Sequence, residues 1–355
     1  MKDSLVLLGA LALSAASVAA LAHEQPTYRL TLVLKENASR AMRFQDLNDK
    51  GEIIGNRSNP DFTETASVWR GSAFEPLNPL VSSNNVFASA INDRSEILVR
   101  YFDAQRSEWR GAILRGTQIV PIEVRPGEQI LGVGDLNNRR QAVVSTFLPD
   151  FSVSTFVWQP AGQRRPLDAP PSVPDAAPAR INDWGDVVGT GSADAGFVPV
   201  VWFQDGTSTI IDAVPPEAIG LAGVDINNRT AVLTHLAFPF GESSIVRIWF
   251  QGTITDFKRL PETTNAVPFD FNNRGAVVGS SSYPESDPRA PVATIWRRGV
   301  ASNLNTLIAA DDPLQPFVSL GAALMINDRG QILVQGRDSR DDPFATSHYL
   351  LTPEL

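Results

Sequence analysis

The stretch "ALMINDRGQILVQG", Ala323–Gly336, decides the fold, because close versions of it occur seven times in the 355-residue chain. It reads as an apolar run, a polar turn and a second apolar run. Its relatives are "FQDLNDKGEIIG" from Phe44, "ASAINDRSEILV" from Ala88, "GVGDLNNRRQAVV" from Gly132, "PARINDWGDVVG" from Pro178, "AGVDINNRTAVL" from Ala222 and "VPFDFNNRGAVVG" from Val267. The anchoring residues Asn48, Asn92, Asn137, Asn182, Asn227, Asn272 and Asn327 are spaced by 44, 45, 45, 45, 45 and 55 residues. A second anchor follows each after 20 to 24 residues: Trp69, Leu114, Trp158, Trp202, Trp249, Trp296 and Tyr349. Internal periods of this length belong to propellers and solenoids.

One period reads as four short strands. An apolar residue precedes each Asn and ends the first strand. Asn-Asp or Asn-Asn then closes a turn with its side chains, and a Gly often follows where the backbone needs positive φ. Segments such as "EIIG", "DVVG" and "QILV" are β-branched second strands. The aromatic anchor sits on the third strand, and segments such as "TSTIIDA" and "VASNLNTL" supply a fourth. Convincing helical periodicity is absent. Four antiparallel strands per period, repeated seven times, imply a seven-bladed β-propeller with blades near 40–80, 85–123, 129–169, 176–214, 219–260, 265–308 and 320–355. A β-solenoid has shorter turns, and an open array of sheets exposes its edges. After Tyr349 too little chain remains for a fourth strand, whereas "PTYRLTLVLKE" near the start is a strand without a turn motif. Residues 27–35 are therefore expected to complete the last blade, so that 23–355 forms a single propeller domain.

Composition narrows the function classes. The net charge is −9 and there is no basic run, which disfavours nucleic acid and anionic lipid. There are no cysteines and only His23, His235 and His348. Thiolate catalysis, zinc–thiolate sites and multi-histidine centres have nothing to draw on. No cofactor or metal is expected. Residues 1–22 read as a signal peptide: Lys2, an apolar run over 5–22 and Ala20-Leu21-Ala22 before His23. The mature protein is expected in the periplasm or secreted, without membrane insertion after cleavage.

The repeat pattern Ile-Asn-x-x-Gly-x-Val-Val-Gly, followed by an aromatic-Trp strand, resembles the extracellular HAF-repeat proteins of bacteria. "INDWGDVVGTGS" and "SHYLLTPEL" carry the resemblance best. In that family His-Ala-Phe commonly opens the third strand, and here only His348-Tyr349-Leu350 approaches it. The resemblance implies a secreted or periplasmic propeller and brings no catalytic residues with it.

Candidate sites follow from placement. Asp46, Asp135, Asp225 and Asp270 each precede the anchoring Asn by two residues. As calcium loops they fail at the fifth position, which is Lys50, Arg139, Arg229 or Arg274. They are expected to fix the turn and its neighbouring backbone; metal coordination, or a ring of acids that faces the channel and holds a cation, is the alternative. The Trp anchors are expected to pack blade on blade rather than to stack on sugars. The loops between second and third strands mix aromatics with acids and share a rim with the connections between blades. Binding is therefore expected among Tyr101, Phe102, Asp103, Phe147, Asp150, Phe151, Phe238, Phe240, Glu242, Tyr283, Glu285, Asp341 and Phe344. His235 reads as a lone surface residue of that rim. The favoured function is a non-enzymatic propeller that binds a protein, glycan or envelope partner through this rim. The alternatives are a glycan hydrolase or lyase using rim carboxylates and a structural scaffold.

Overall fold

The computed structural model describes residues 26–36, 41–194, 196–238, 244–342 and 345–354. The leader assigned to residues 1–22 lies outside them. Blade 1 consists of strands Arg43–Leu47, Ile53–Ser58, Glu64–Trp69 and Phe74–Pro76, paired in that order and antiparallel. The same order repeats over 86–121, 129–166, 177–210, 220–256 and 265–303, giving blades 2 to 6. Blade 7 takes three strands from the end of the chain, Val318–Ile326, Ile332–Asp338 and Ser347–Pro353, and its outer strand, Tyr28–Lys35, from the beginning. The chain is thus all-β, a seven-bladed ring closed by its leading strand. "VASNLNTL" is strand only to Asn303 and then turns into a short 3-10 helix, Leu304–Leu307. Blades 4 and 5 also touch through one parallel pair, Phe197 with Gly220.

Each inner strand carries a β-bulge two to three residues before its Asn, as between Phe44 and Asp46 or Pro268 and Asp270. The bulge pushes a carbonyl toward the second strand, and this explains the Gly of "VVG". A Cβ on Gly189 would lie 2.0 Å from the Ala177 carbonyl oxygen, and one on Gly279 2.0 Å from that of Val267. The turn itself needs left-handed backbone three residues after Asn in every repeat. Gly51, Gly185, Gly275 and Gly330 supply it freely, while Ser95, Arg140 and Thr230 adopt it despite their side chains.

The anchors of the third strands lie between blades. Trp69, Trp158, Trp202, Trp296 and Tyr349 are at most 4% exposed. Trp69, for example, packs with Ile53 of blade 1 and with Leu333 and Leu350 of blade 7. Packing, and not a stacking platform, is their use.

The closure has two sides. The outer strand of blade 7 pairs with its third strand from Tyr28 opposite Pro353 to Lys35 opposite Ser347. On its other side lies the connector after Leu304, where Tyr28 forms a parallel bridge with Ile308 and its carbonyl accepts the Ala309 N–H at 2.9 Å. The ten extra residues between Asn272 and Asn327 thus include the clasp that grips the leading strand. Tyr28 is fully buried among Leu304, Ile308 and Leu351, and its hydroxyl takes a hydrogen bond from Arg297. Tyr28→Ala should cost about 3–5 kcal/mol in urea unfolding, as expected for a buried aromatic. Leu32→Ala in the same strand, at a residue 50% exposed, should cost well under 1 kcal/mol.

Candidate functional site

The ring has two ends of different construction. At one end the seven Asn turns meet around the axis. Each anchoring Asn is at most 7% exposed and uses its Oδ1 to accept the N–H groups two and four residues on, as Asn48 does from Lys50 and Glu52 at 3.0 Å each. In Asn48, Asn92, Asn137, Asn182, Asn272 and Asn327 the Nδ2 also donates to the main-chain carbonyl of the next Asn around the ring, from Asn48 to Asn92 at 3.0 Å and from Asn327 back to Asn48 at 2.8 Å. The residue after each Asn forms a second circle. Its N–H donates to the side-chain Oδ1 of its counterpart in the next blade, in the order Asp49, Asp93, Asn138, Asp183, Asn228, Asn273, Asp328 and back to Asp49, at 2.6–2.9 Å throughout. These residues frame a small mouth of about 170 Å³.

Asn and Asp are mixed around the second circle, and the amides satisfy the second oxygens of Asp93, Asp183 and Asp328. Asn138 donates to Asp93 at 2.7 Å and to Asp183 at 3.2 Å, Asn228 to Asp183 at 2.8 Å, and Asn273 to Asp328 at 2.6 Å. Asp49 breaks the pattern because both its neighbours are acids. Burial and the Asp93 charge push its carboxyl above the usual range.

Deeper in the channel the Asp-x-Asn aspartates do what the turn reading expected of them and also face the axis. The Oδ1 of Asp46 accepts the Leu47 N–H and its Oδ2 the Ile91 N–H of blade 2, both at 2.8 Å. Asp135 and Asp270 hold Ile181 and Ile326 of the following blades in the same way, at 2.9 and 2.7 Å. In blade 4 the equivalent position is Arg180. It feels the charges of Asp135, Asp225, Asp46 and Asp270 together, which only a place near the axis allows. Burial alone would pull its guanidinium down, and the four acids outweigh that. Burial, then the Asp135 charge, raises Asp46 to about 7; burial raises Asp225 to about 6. Asp270 lies well above the carboxylate range, from burial and the charge of Asp225, to which it donates a hydrogen bond. Among the described residues no group of His, Cys, Asp and Glu has the arrangement to hold a metal ion.

The other end carries the loops between second and third strands. The ten described members of the thirteen rim residues do not converge there. Tyr101 packs into the interface of blades 1 and 2, and Phe102 lies against Trp109 with ring centroids 5.5 Å apart. Asp103 and Asp150 cap their own turns, accepting the N–H of Gln105 and of Ser152 at 3.0 Å each. Phe147 and Phe151 project from blade 3, the latter 85% exposed. Phe238 is half-buried, Tyr283 lies under the Arg289 guanidinium at 3.8 Å, Glu285 is exposed, and Asp341 pairs with Lys35. Phe240, Glu242 and Phe344 lie outside the described residues. His235 is not a surface loop residue: it sits within strand Val232–Ala237, its Nε2 is buried without a hydrogen bond, and burial lowers its pKa.

Among the described residues this rim has a concave feature of about 490 Å³ between blades 7 and 1 and a larger cleft of about 670 Å³ between blades 6 and 7. Its walls come from the loop Ala290–Val292, the connector around Asn303 and Asn305, the start of strand Val318–Ile326 and the end of strand Ile332–Asp338. Asn305 braces the wall, accepting the Leu320 N–H at 2.7 Å and donating to the Leu320 carbonyl at 3.0 Å. The inner strand of blade 7 has a second irregularity here, between Leu320 and Ala322. Gln335 and Arg337 line the cleft with side chains uncommitted among the described residues, and Phe269 is 41% exposed at its edge. None of the ten described rim residues lines it. The signal that could have pointed to it is the 55-residue spacing, since the extra connector forms part of its wall.

Two outcomes test the channel. Asp49→Asn should stabilise the protein by about 0.5–1 kcal/mol in urea unfolding at pH 7, because the new amide can donate to Asp93 or Asp328 as Asn138 does to its neighbours. The second concerns pH. With folded values raised above the unfolded one, the native state holds more protons between about pH 4 and 7, so stability falls as pH rises through that window. Arg180→Met removes the cation that restrains Asp46, Asp225 and Asp270 and should steepen this fall. An unchanged melting profile between pH 5 and 8 would contradict it.

No protein-family model matches the chain, and no curated protein matches it. Solved structures do. A puromycin-hydrolyzing peptidase of Mycobacterium tuberculosis superposes with a TM-score of 0.53 at 10% identity over 83% of this chain and 49% of its own. The chain therefore spans about half the length of that peptidase. YCF48 from Cyanidioschyzon merolae gives a TM-score of 0.53 at 11% identity, over 91% of this chain and 99% of its own. At these identities the likeness is one of fold, and the chain shares it: a β-propeller of four-stranded repeats.

Proposed function

We propose that this is an exported, non-enzymatic binding propeller that takes a segment of an envelope or extracellular protein or glycan into the cleft between blades 6 and 7. The observation that carries this reading is the cleft's chemistry. Its volume of about 670 Å³ is in the range of ligand sites. It offers one exposed aromatic face, an uncommitted amide and an uncommitted guanidinium, the groups that recognise hydroxyl, amide and carboxylate surfaces.

The described lining contains no Asp, Glu or His, which favours binding over acid–base hydrolysis there. The apolar leader and the resemblance to the HAF-repeat proteins support export. No helix of the described residues is long and apolar enough to cross a membrane.

The test is a glycan array together with capture from envelope extract, comparing the wild-type protein with Gln335→Ala/Arg337→Ala and Phe269→Ala. Each variant should lose binding by about tenfold or more while melting close to wild type. Binding that survives all three substitutions, or turnover of a glycan, would overturn the proposal.

A further inference from the structure

The face that carries the Asn turns holds a site of different chemistry, away from the axis. Between blades 2 and 3 a cavity of about 370 Å³ is walled by Ile113, Val120, Pro121, Pro160 and Trp158. It adjoins a cavity of about 470 Å³ between blades 1 and 2, and Arg115 and Arg140 line both. Arg70 and Arg94 complete a group of four arginines in a chain of net charge −9. Two acids line the pair of cavities, Glu96 and Glu123. One oxygen of Glu96 holds both Arg115, at 2.8 Å, and Arg140, at 2.6 Å. Arg70 pairs with Glu52 at 2.8 Å and Glu75 at 2.5 Å. The guanidinium of Arg94 is uncommitted among the described residues. A planar guanidinium has five N–H donors, so a single carboxylate oxygen leaves Arg115 and Arg140 with donors to spare.

Trp158 sets this cavity apart from blades 4 and 6. In blades 4 and 6 the equivalent indoles donate to the connector from the preceding blade, Trp202 to the Asp168 carbonyl at 2.9 Å and Trp296 to the Lys258 carbonyl at 3.0 Å. The corresponding carbonyl before blade 3 is that of Glu123, and Arg164 occupies it at 3.0 Å. The Trp158 Nε1 is left buried with no hydrogen bond, at the wall of the apolar cavity. A buried donor without an acceptor costs free energy that a bound acceptor would recover.

We infer that these joined cavities bind an anionic amphiphile. Its apolar chain runs along Ile113, Val120, Pro121 and Pro160, and its carboxylate or phosphate head sits where the two cavities join, taking hydrogen bonds from Arg94, Arg115 and Arg140 and from the Trp158 indole N–H. The site is separate from the rim cleft and stands whether or not that cleft binds anything.

Calorimetric titration with sodium decanoate below its micelle concentration tests it, with acetate and decanol as controls. Indole N–H signals are followed by NMR, the Trp158 signal being identified from Trp158→Phe. Decanoate should bind at one equivalent and move the Trp158 signal, with acetate and decanol each weaker by about tenfold or more. Arg94→Ala breaks no side-chain hydrogen bond or ion pair among the described residues and should weaken decanoate by several-fold, while Arg94→Ala/Arg115→Ala should weaken it by about tenfold or more. Phosphatidylglycerol vesicles distinguish the source: capture that depends on Arg94 identifies a lipid headgroup, and no capture identifies a free amphiphile. Silence with decanoate, binding unchanged in Arg94→Ala and the double variant, or a shift confined to other indoles would overturn the inference.

Discussion

The structure depends on one hydrogen bond made seven times in a circle: the N–H of the residue after each anchoring Asn, donated to a side-chain oxygen of its counterpart one blade on. Each link joins residues 44 to 55 positions apart, except the last, which joins Asp328 to Asp49 across 279. A single bond of this kind is worth only about 1 kcal/mol net. The arrangement matters because neither partner is optional. The donor is main chain at a buried turn, and the acceptor must be an Asx side chain, since Ser is too short and Glu too long to span the same gap. This explains why the second turn position is Asp or Asn in every repeat. Apolar packing between blades supplies the bulk of the stability, and the Asx circle sets how many blades close and at what pitch.

How much of this was legible depended on whether the informative signal was local. Asn, the left-handed position and the β-branched second strand are all within a few residues of one another, so periodicity revealed the blades, their strand order and the borrowed outer strand. The lateral role of Asp49 and its counterparts was not legible, because an Asp that closes its own turn and one that bonds the next repeat look identical in a single repeat. The same applies to the Asp-x-Asn acids. Turn-fixing described them, but that four of them would share an axis with Arg180 depended on which blades face each other across the channel. The rim cleft escaped for another reason. It is assembled from Phe269, Asn303, Leu320, Gln335 and Arg337, ordinary residues on separate strands and connectors. Several of the conspicuous loop residues are instead spent on turns and local packing. Asp103 and Asp150 are examples.

The two faces of the disc differ in a way that follows from strand direction. The Asn-turn face is bound to the repeat, since its residues are committed to the two circles. It can vary only toward the periphery, where Arg94, Arg115 and Arg140 stand. The loop face has no such constraint, and its connections differ in length from blade to blade. Variation in this chain is therefore concentrated where the fold tolerates it, and the longest connector both grips the leading strand and walls the larger cleft.

The closing pair has a mechanical meaning. Residues 27 and 354 leave the sheet at the same end, where the Thr27 carbonyl accepts the Glu354 N–H at 2.8 Å. Force applied across these two points would load the ladder one rung at a time, as a zipper, and not all rungs at once in shear. The first rung is reinforced: Thr27 and Arg29 both bond the Glu354 carboxylate, at 2.6 and 2.7 Å, and Arg29 also reaches Asp311 of the connector at 2.7 Å. That small knot of side chains bears the initial tension, and once it yields, the outer strand of blade 7 peels from the ring while the remaining blades keep their partners.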